Sequence, residues 1–436
     1  MTVTVALFTR DLRVRDNPVL AAAVAAADAV IPLFVFDDAI LATSHGSPNR
    51  VGFLIQALAD LDASLQDRGG ALAVRHGDWV GEVVRLVEET GAISVHVARD
   101  VSAFAQQRAA RLAEHVPVPV VFHDALAVVA PGTFKPYQVF TPYWNKWSDT
   151  AWRQPVPMVR RLIIPPDFDR GALPGSPAHR APDVMRGGET EGLRRMKAWT
   201  ARTLARYAEV HDDVAADATS RISPYLHFGC LSPLEVATRL RGRAGGEAFV
   251  RQLCWRDFFM QFLAARPDTA HRSVRREPEW IDDDEGLAAW QQGTTGFPLV
   301  DAGMRQLARE GFVHNRVRMV VASFLTKDLL VDWRTGAAFF MQHLVDGDLA
   351  VNQLNWQWVA GTGTDTNPHR VYNPTLQAQK FDPAGTYIRR YVDELRDVHA
   401  PDVHDPPPEV REKVGYPPPM VDHKAAIERR RARRAS

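Results

Sequence analysis

Leu20-Ala-Ala-Ala-Val-Ala-Ala-Ala-Asp28-Ala-Val30-Ile-Pro32-Leu-Phe-Val-Phe36 is the stretch whose division decides the fold. A membrane-spanning helix needs about 20 consecutive apolar residues, and Asp28 and Pro32 interrupt this one. It therefore divides into an alanine-rich helix followed by a strand over Val30–Phe36. The preceding Thr2-Val-Thr-Val-Ala-Leu-Phe8 has no basic segment ahead of an apolar run and no cleavage site, so it reads as a first strand and not as a signal. Up to about residue 125, β-branched runs (Leu72–Arg75, Ile93–Ala98, Val118–Phe122) alternate with helical patterns (Val51–Asp67, Trp79–Glu89, Ala103–Glu114). That alternation predicts a Rossmann-like parallel sheet with crossover helices. Its first turn, Thr9-Arg10-Asp11-Leu12-Arg13, carries no GxGxxG, which argues against an ordinary dinucleotide site.

A chain of 436 residues is long enough for two to three domains and a deep pocket. Lys plus Arg (52) equals Asp plus Glu (52), so a nucleic-acid partner has to be met by a local basic patch and not by a global field. Cys230 and Cys254 make neither a disulfide framework nor a metal cluster, no metal site is expected, and the default location is cytoplasmic.

Between residues 126 and 190 prolines accumulate, from Pro131 to Pro182, marking a long linker whose aromatic part, Tyr137–Trp152, packs on a domain while Pro165–Gly188 runs extended. Helical periodicity follows over Glu189–Tyr207, Ala248–Ala265, Leu299–Glu310 and Val313–Leu330, so residues 191–436 are expected to form an all-helical domain. The basic end, Glu428-Arg-Arg-Arg-Ala-Arg-Arg434, reads as a solvated or frayed terminus.

Four segments in this helical part carry chemistry. Asp346-Gly-Asp348 to Trp356-Gln-Trp358 crowds two acids, Asn352 and two indoles together, which suits stacking of a planar group or electron transfer. Thr219-Ser220-Arg221-Ile222-Ser223-Pro224 supplies hydroxyls and a guanidinium at a helix start, a combination suited to pyrophosphate, although Ser-Pro is also a common N-cap. In His314-Asn315-Arg316-Val317-Arg318-Met319, spacing sets Asn315, Arg318 and Met319 on one face, and Asp346 and Asp348 are the candidate partners of its charge. Gln252-Leu-Cys-Trp255-Arg256-Asp257 adds an amide, an indole and a guanidinium at one-turn spacing.

Together with Phe8-Thr-Arg10-Asp11-Leu-Arg13 and Asn373-Pro374, these motifs resemble the photolyase/cryptochrome family of flavoproteins over nearly the whole chain, and most of all its class I cyclobutane pyrimidine dimer photolyases. The resemblance implies an antenna-binding domain at residues 1–125, and FAD and DNA binding by residues 191–436. FAD would be held by Tyr207, Thr219, Ser220, Arg221, Ile222, Ser223, Arg256, Arg318, Asp346 and Asp348, with Asn352 facing the flavin ring nitrogen. An amide there avoids the repulsion that a carboxylate exerts on an anionic reduced flavin. Trp356, Trp333 and Trp290 match an electron-hopping chain from flavin to surface, and Trp255 and Trp358 the indoles that flank a flipped-out dimer. Asn315 and Met319 would line the lesion pocket, and Arg316, Arg370 and Gln377 match positions near UV-damaged DNA, with salt-sensitive binding expected. The implied reaction is light-driven splitting of the dimer by an electron from FADH⁻, in a monomer.

Two departures stand out. Gln252 occupies the place of the usual glutamate, so it can donate a hydrogen bond to the lesion but not readily a proton. His211 replaces an arginine near DNA. Gln252 also resembles (6-4) photolyases, but those need two histidines where this chain has Asn315 and Met319. A blue-light photoreceptor would carry Asp or Cys in place of Asn352. For the antenna, Arg10, Asp37 and Asp100 lie at candidate strand ends; Ala98-Arg-Asp100-Val-Ser-Ala-Phe104 resembles binders of 8-hydroxy-5-deazaflavin more than of methenyltetrahydrofolate, and an empty site is the remaining alternative.

Overall fold

The computed structural model describes residues 1–435; Ser436, the last residue of the expected helical domain, lies outside the described residues. Five parallel strands, β1 (Val3–Phe8), β2 (Ala29–Asp37), β3 (Ala73–Gly77), β4 (Val95–Ala98) and β5 (Val120–His123), form one sheet in the order β3-β2-β1-β4-β5. Their crossovers contain α1 (Pro18–Ala26), α2 (Pro48–Gln66), α3 (Trp79–Thr90) and α4 (Ala103–His115). The apolar tract divides as its sequence predicts, with Asn17 capping α1 through Leu20 N and β2 buried along its whole length, as a strand covered on both faces must be. The strand order reverses at β1, so the carboxyl ends of β1 and β4 border the crevice where open α/β sheets bind ligands. Arg10 and Asp100 follow those two strands.

Two compact units are formed. The first comprises Met1–Arg180, Met185–Ala205 and Ser220–Pro267; the second comprises Ala181–Val184, Arg206–Thr219 and Asp268–Ser436. Regions 1–125, 126–190 and 191–436 are continuous blocks, whereas these units interleave along the chain. In the first unit α5 (Phe140–Asp149) buries Phe140, Tyr143 and Trp147, the aromatic part of the linker, against α6 (Gly246–Ala265). No helix or strand occurs between residues 150 and 188. Asp257, fully buried on α6, fastens the linker by accepting from Val128 N, Val129 N and Trp147 Nε1 at 2.9 to 3.0 Å.

The second unit is helical: α7 (Asp284–Gln292), α8 (Pro298–Glu310), α9 (Asn315–Ser323), α10 (Trp333–His343), α11 (Leu349–Ala360), α12 (Pro374–Phe381) and α13 (His423–Ala435). Two long helical readings are broken. Val313–Leu330 becomes α9 capped by the His314 side chain, then a π-helical turn over Phe324–Asp328. Glu189–Tyr207 stops at Arg202, and a 3₁₀ turn and a short helix over Tyr207–Val210 follow.

The basic terminus is not solvated along its length. Arg429 and Arg430 donate to the Asp328 and Ala360 carbonyls, Arg430 is 3% exposed, and His423 Nδ1 donates to the Asp328 carboxylate. Charge alone reads as solvated because sequence does not show which main-chain acceptors a folded surface leaves open.

That last bond raises the His423 pKa above 6.5, its ordinary value. A raised histidine contributes stability that is complete below the ordinary value and lost as pH rises through the raised one. Hydrogen-exchange protection factors across α13 are expected to fall as pH rises above 6.5, and His423→Gln is expected to remove that dependence. A second prediction concerns Gly336 on α10. A Cβ there would lie 2.3 Å from Trp356 Cη2 and 2.5 Å from Leu325 Cδ2. Gly336→Ala should therefore cost about 1–3 kcal/mol in denaturant unfolding.

Candidate functional site

In the second unit α11 is enclosed on nearly all sides, with Ala350, Asn352, Gln353, Leu354, Trp356 and Gln357 buried. Its polar side chains are therefore anchored. Gln353 donates to the Ala270 carbonyl at 3.0 Å and Gln357 to the Thr269 carbonyl at 2.7 Å. Asn352 Nδ2 donates to the Ala337 carbonyl at 3.0 Å and to Gln353 Oε1 at 3.2 Å, which fixes the amide plane and presents Oδ1 as an acceptor. Asp348 caps α11 through Val351 N at 3.1 Å. The expected partner of Arg318 is found: its Nη2 lies 2.9 and 3.1 Å from the two oxygens of Asp346, and its Nε donates to the Val313 carbonyl. Asp346 is 8% exposed, so the Arg318 guanidinium stands where water would otherwise meet this carboxylate.

Tyr207 is buried, and burial pushes its phenol up to about 12, leaving a neutral hydroxyl. The Thr219 hydroxyl is buried with no hydrogen-bond partner, an acceptor-donor group that a bound molecule would satisfy. On α9, Asn315 is exposed, and its Nδ2 lies 3.9 Å from Met319 Sδ one turn on. Trp358 is half-buried under the Arg370 guanidinium, 5.0 Å from the ring centroid, and Gln377 on α12 keeps a buried Oε1 without a partner. Arg316 is more engaged than its sequence suggests, bonded to Asp212 at 2.6 Å and stacked 4.5 Å from the Phe381 centroid. Burial works to raise the Asp212 carboxyl, but His211 and Arg316 together hold it well below the usual range.

In the first unit, exposed Gln252 sits one turn before half-buried Trp255 on α6. Phe140 lies flat on Trp255, with ring centroids 3.5 Å apart and planes at 3°, so one face of this indole is already covered. Arg256 donates to the Leu126 carbonyl at 2.5 Å and to the Leu226 carbonyl at 3.4 Å. Ser220 is buried, Arg221 takes the left-handed backbone at φ 50°, buried Ile222 precedes the helix Ser223–His227, and Pro224 occupies that helix's first turn. Arg10 pairs with Asp100 at 3.2 Å, and Arg108 pairs with Asp37 at 2.9 Å. Beside Asp100 a cleft of about 400 Å³ is lined also by Arg99, Gln106, Asp124, Met260 and Gln261.

The tryptophans require a correction. Trp290 is 0% exposed, lies 6.1 Å from Trp356 and donates its indole N–H to the Val321 carbonyl. An indole enclosed on every side cannot be the surface end of a hopping chain. Trp333 is also enclosed, donating to Ser273 Oγ at 3.0 Å. Trp280 and Trp358 both pack on this same core while remaining half-buried, and Trp280 is the one not already matched to the indoles that flank a dimer. Sequence spacing missed it because Trp280 and Trp290 differ in exposure, not in residue type. Among the described residues no group of three or more His, Cys, Asp or Glu is placed to hold a metal ion, and no helix is long and apolar enough to cross a membrane.

Comparison with known proteins places these residues in a family. Residues 4–160 match the DNA photolyase model, and residues 249–436 match the FAD binding domain of DNA photolyase. The deoxyribodipyrimidine photo-lyase of Streptomyces griseus is 48% identical over 440 residues, 97% of each chain, and that of Halobacterium salinarum is 37% identical over 95% of each. A bacterial class III photolyase from Agrobacterium tumefaciens superimposes with a TM-score of 0.93 at 34% identity, covering 100% of this chain and 97% of that one. A Synechocystis cryptochrome superimposes with a TM-score of 0.91 at 28% identity over 99% of both chains. The class III match overturns the class I assignment. The chain belongs to the DNA photolyase family.

Proposed function

We propose that this protein is a deoxyribodipyrimidine photolyase, a light-driven DNA repair lyase that uses FAD to split cyclobutane pyrimidine dimers. The observation that carries this reading is the anchored Asn352 amide on α11, within the matched FAD-binding region, with Oδ1 presented as the acceptor. The unpartnered buried hydroxyl of Thr219 fits a polar ligand. Tyr207, Thr219, Arg318, Asp346, Asp348 and Asn352 in the second unit are the proposed FAD contacts. In the first unit they are Ser220, Arg221, Ile222, Ser223 and Arg256. Bound FAD supplies the excited-state electron; the chain's residues bind, orient and exclude water.

Asn352 Oδ1 would accept a ring N–H without adding charge beside an anionic flavin. Trp255, backed by Phe140, and Trp358, backed by Arg370, offer flat surfaces that replace base stacking lost when a dimer leaves the duplex. Asn315, Met319 and Gln252 are the proposed lesion contacts, and Arg316, Arg370 and Gln377 the proposed DNA contacts. Trp356 and Trp333 are the proposed inner electron carriers, with Trp280 at the outer end. We assign residues 1–125 to antenna binding, 126–190 to the linker and 191–436 to FAD and DNA. The antenna proposed for the crevice near Arg10, Asp37 and Asp100 is 8-hydroxy-5-deazaflavin. The protein is proposed to act as a cytoplasmic monomer.

Trp255→Ala is expected to weaken dark binding of an oligonucleotide carrying one dimer by roughly ten- to a hundredfold, the worth of one stacked base. Binding of the undamaged oligonucleotide, followed by the same fluorescence anisotropy, should stay unchanged; equal weakening of both would contradict the stacking role. If Gln252 is a working substitute for glutamate, Gln252→Glu leaves the dimer-repair quantum yield of pre-reduced enzyme unchanged and Gln252→Ala lowers it. A large rise with glutamate would show that the native amide is suboptimal.

A further inference from the structure

Glu277 touches the environment of two tryptophans. Its Oε2 accepts the Trp280 indole N–H at 2.8 Å. Its two oxygens accept from Arg334 Nη1 and Nη2 at 3.1 and 2.5 Å, and the Arg334 guanidinium lies 4.8 Å from the centroid of the Trp333 ring. Ser273, which receives the Trp333 indole N–H, also hydrogen-bonds Glu277. One ion pair thus presents its positive end to the enclosed indole and its negative end to the half-buried one.

From this placement we propose that the Glu277–Arg334 pair gives direction to electron transfer from Trp280 to Trp333, a proposal that rests on the reading of this chain as a flavin enzyme with a tryptophan chain. An electron leaving Trp280 fills the vacancy on Trp333, which has given its own electron inward to Trp356. No covalent bond forms or breaks. Bound FAD, when oxidised and photoexcited, would be the inner oxidant for this chain of indoles, and an external thiol would re-reduce Trp280.

A positive charge left on Trp333 is opposed by the guanidinium above the ring, while one left on Trp280 is stabilised by a carboxylate hydrogen-bonded to the ring nitrogen. Asp332 also holds Arg334, at 3.0 Å, and so weakens the repulsion at Trp333. The attraction at Trp280 is therefore the larger contribution. The Arg334 hydrogen bond pulls the Glu277 carboxyl down to about 2, so Glu277 acts as a fixed negative charge and is a poor proton acceptor. Its role is positioning of charge, not chemistry on the substrate.

The test uses full-length holoenzyme with oxidised FAD and laser-flash absorption of the tryptophan radical, comparing the native protein with Trp280→Phe, Glu277→Gln and Glu277→Asp. Trp280→Phe should abolish the long-lived radical. Glu277→Gln should shorten its lifetime about tenfold, the effect of removing one partly screened charge at hydrogen-bond distance, and Glu277→Asp should restore much of it. Dimer repair by chemically pre-reduced enzyme should be the same in the native, Glu277→Gln and Glu277→Asp proteins, which confirms folding of the Glu277 variants. A native lifetime in Glu277→Gln, with loss in Trp280→Phe, would overturn the proposed role of Glu277 and leave the tryptophan chain standing. A native lifetime in Trp280→Phe would overturn the chain's outer end and this proposal with it.

Discussion

The burial of α11 on almost every side is the constraint on which the second unit depends. A polar side chain on such a helix must find a partner or carry a desolvation cost of about 1–3 kcal/mol. Gln353 and Gln357 meet it by gripping the Ala270 and Thr269 carbonyls, and Asn352 by gripping Ala337. These bonds hold α11 in one rotational setting, which places Trp356 against Trp290 and Phe340 while Trp358 stays half-buried. Gly336 completes the arrangement by leaving room for the rim of the Trp356 ring. The Asn352 amide is thus oriented by packing before any ligand arrives, which is the preorganisation an electrostatic role requires.

Charge is distributed in the same local way. Formal charge sums to zero over the chain, yet guanidinium groups lie on Trp358, Phe381 and Trp333, each within about 5 Å of a ring centroid. Arginine suits these places because its flat, weakly hydrated head stacks on a ring and still donates hydrogen bonds sideways. Arg316 and Arg334 do both, pairing with Asp212 and Glu277 while stacked. Neutral composition is thus realised as guanidinium groups that sit on aromatic rings, two of them also paired with carboxylates.

Much of this was legible in the sequence. The division of Leu20–Phe36 at Asp28 and Pro32 identified a helix and strand whose observed bounds, Pro18–Ala26 and Ala29–Asp37, differ only at their ends. The charge on the helix of Arg318 pointed to Asp346 and Asp348 as partners, and Asp346 pairs with Arg318. What sequence could not show was exposure and tertiary partnership. Trp290 and Trp280 are the same residue type, yet one is enclosed and the other half-buried. The arginine-rich end looked solvated because its acceptors, the Asp328 and Ala360 carbonyls, are main-chain groups that no side-chain pattern reveals. Photolyase class was not legible in the motifs, and the superposition on a class III photolyase corrected it.

Light-dependent restoration of pyrimidines in an oligonucleotide with a single cyclobutane dimer, by photoreduced protein and beside a parallel (6-4) lesion, tests the central claim most directly. The account predicts repair of the dimer alone, and only in light. Failure on both lesions by protein shown to hold fully reduced FAD would contradict it.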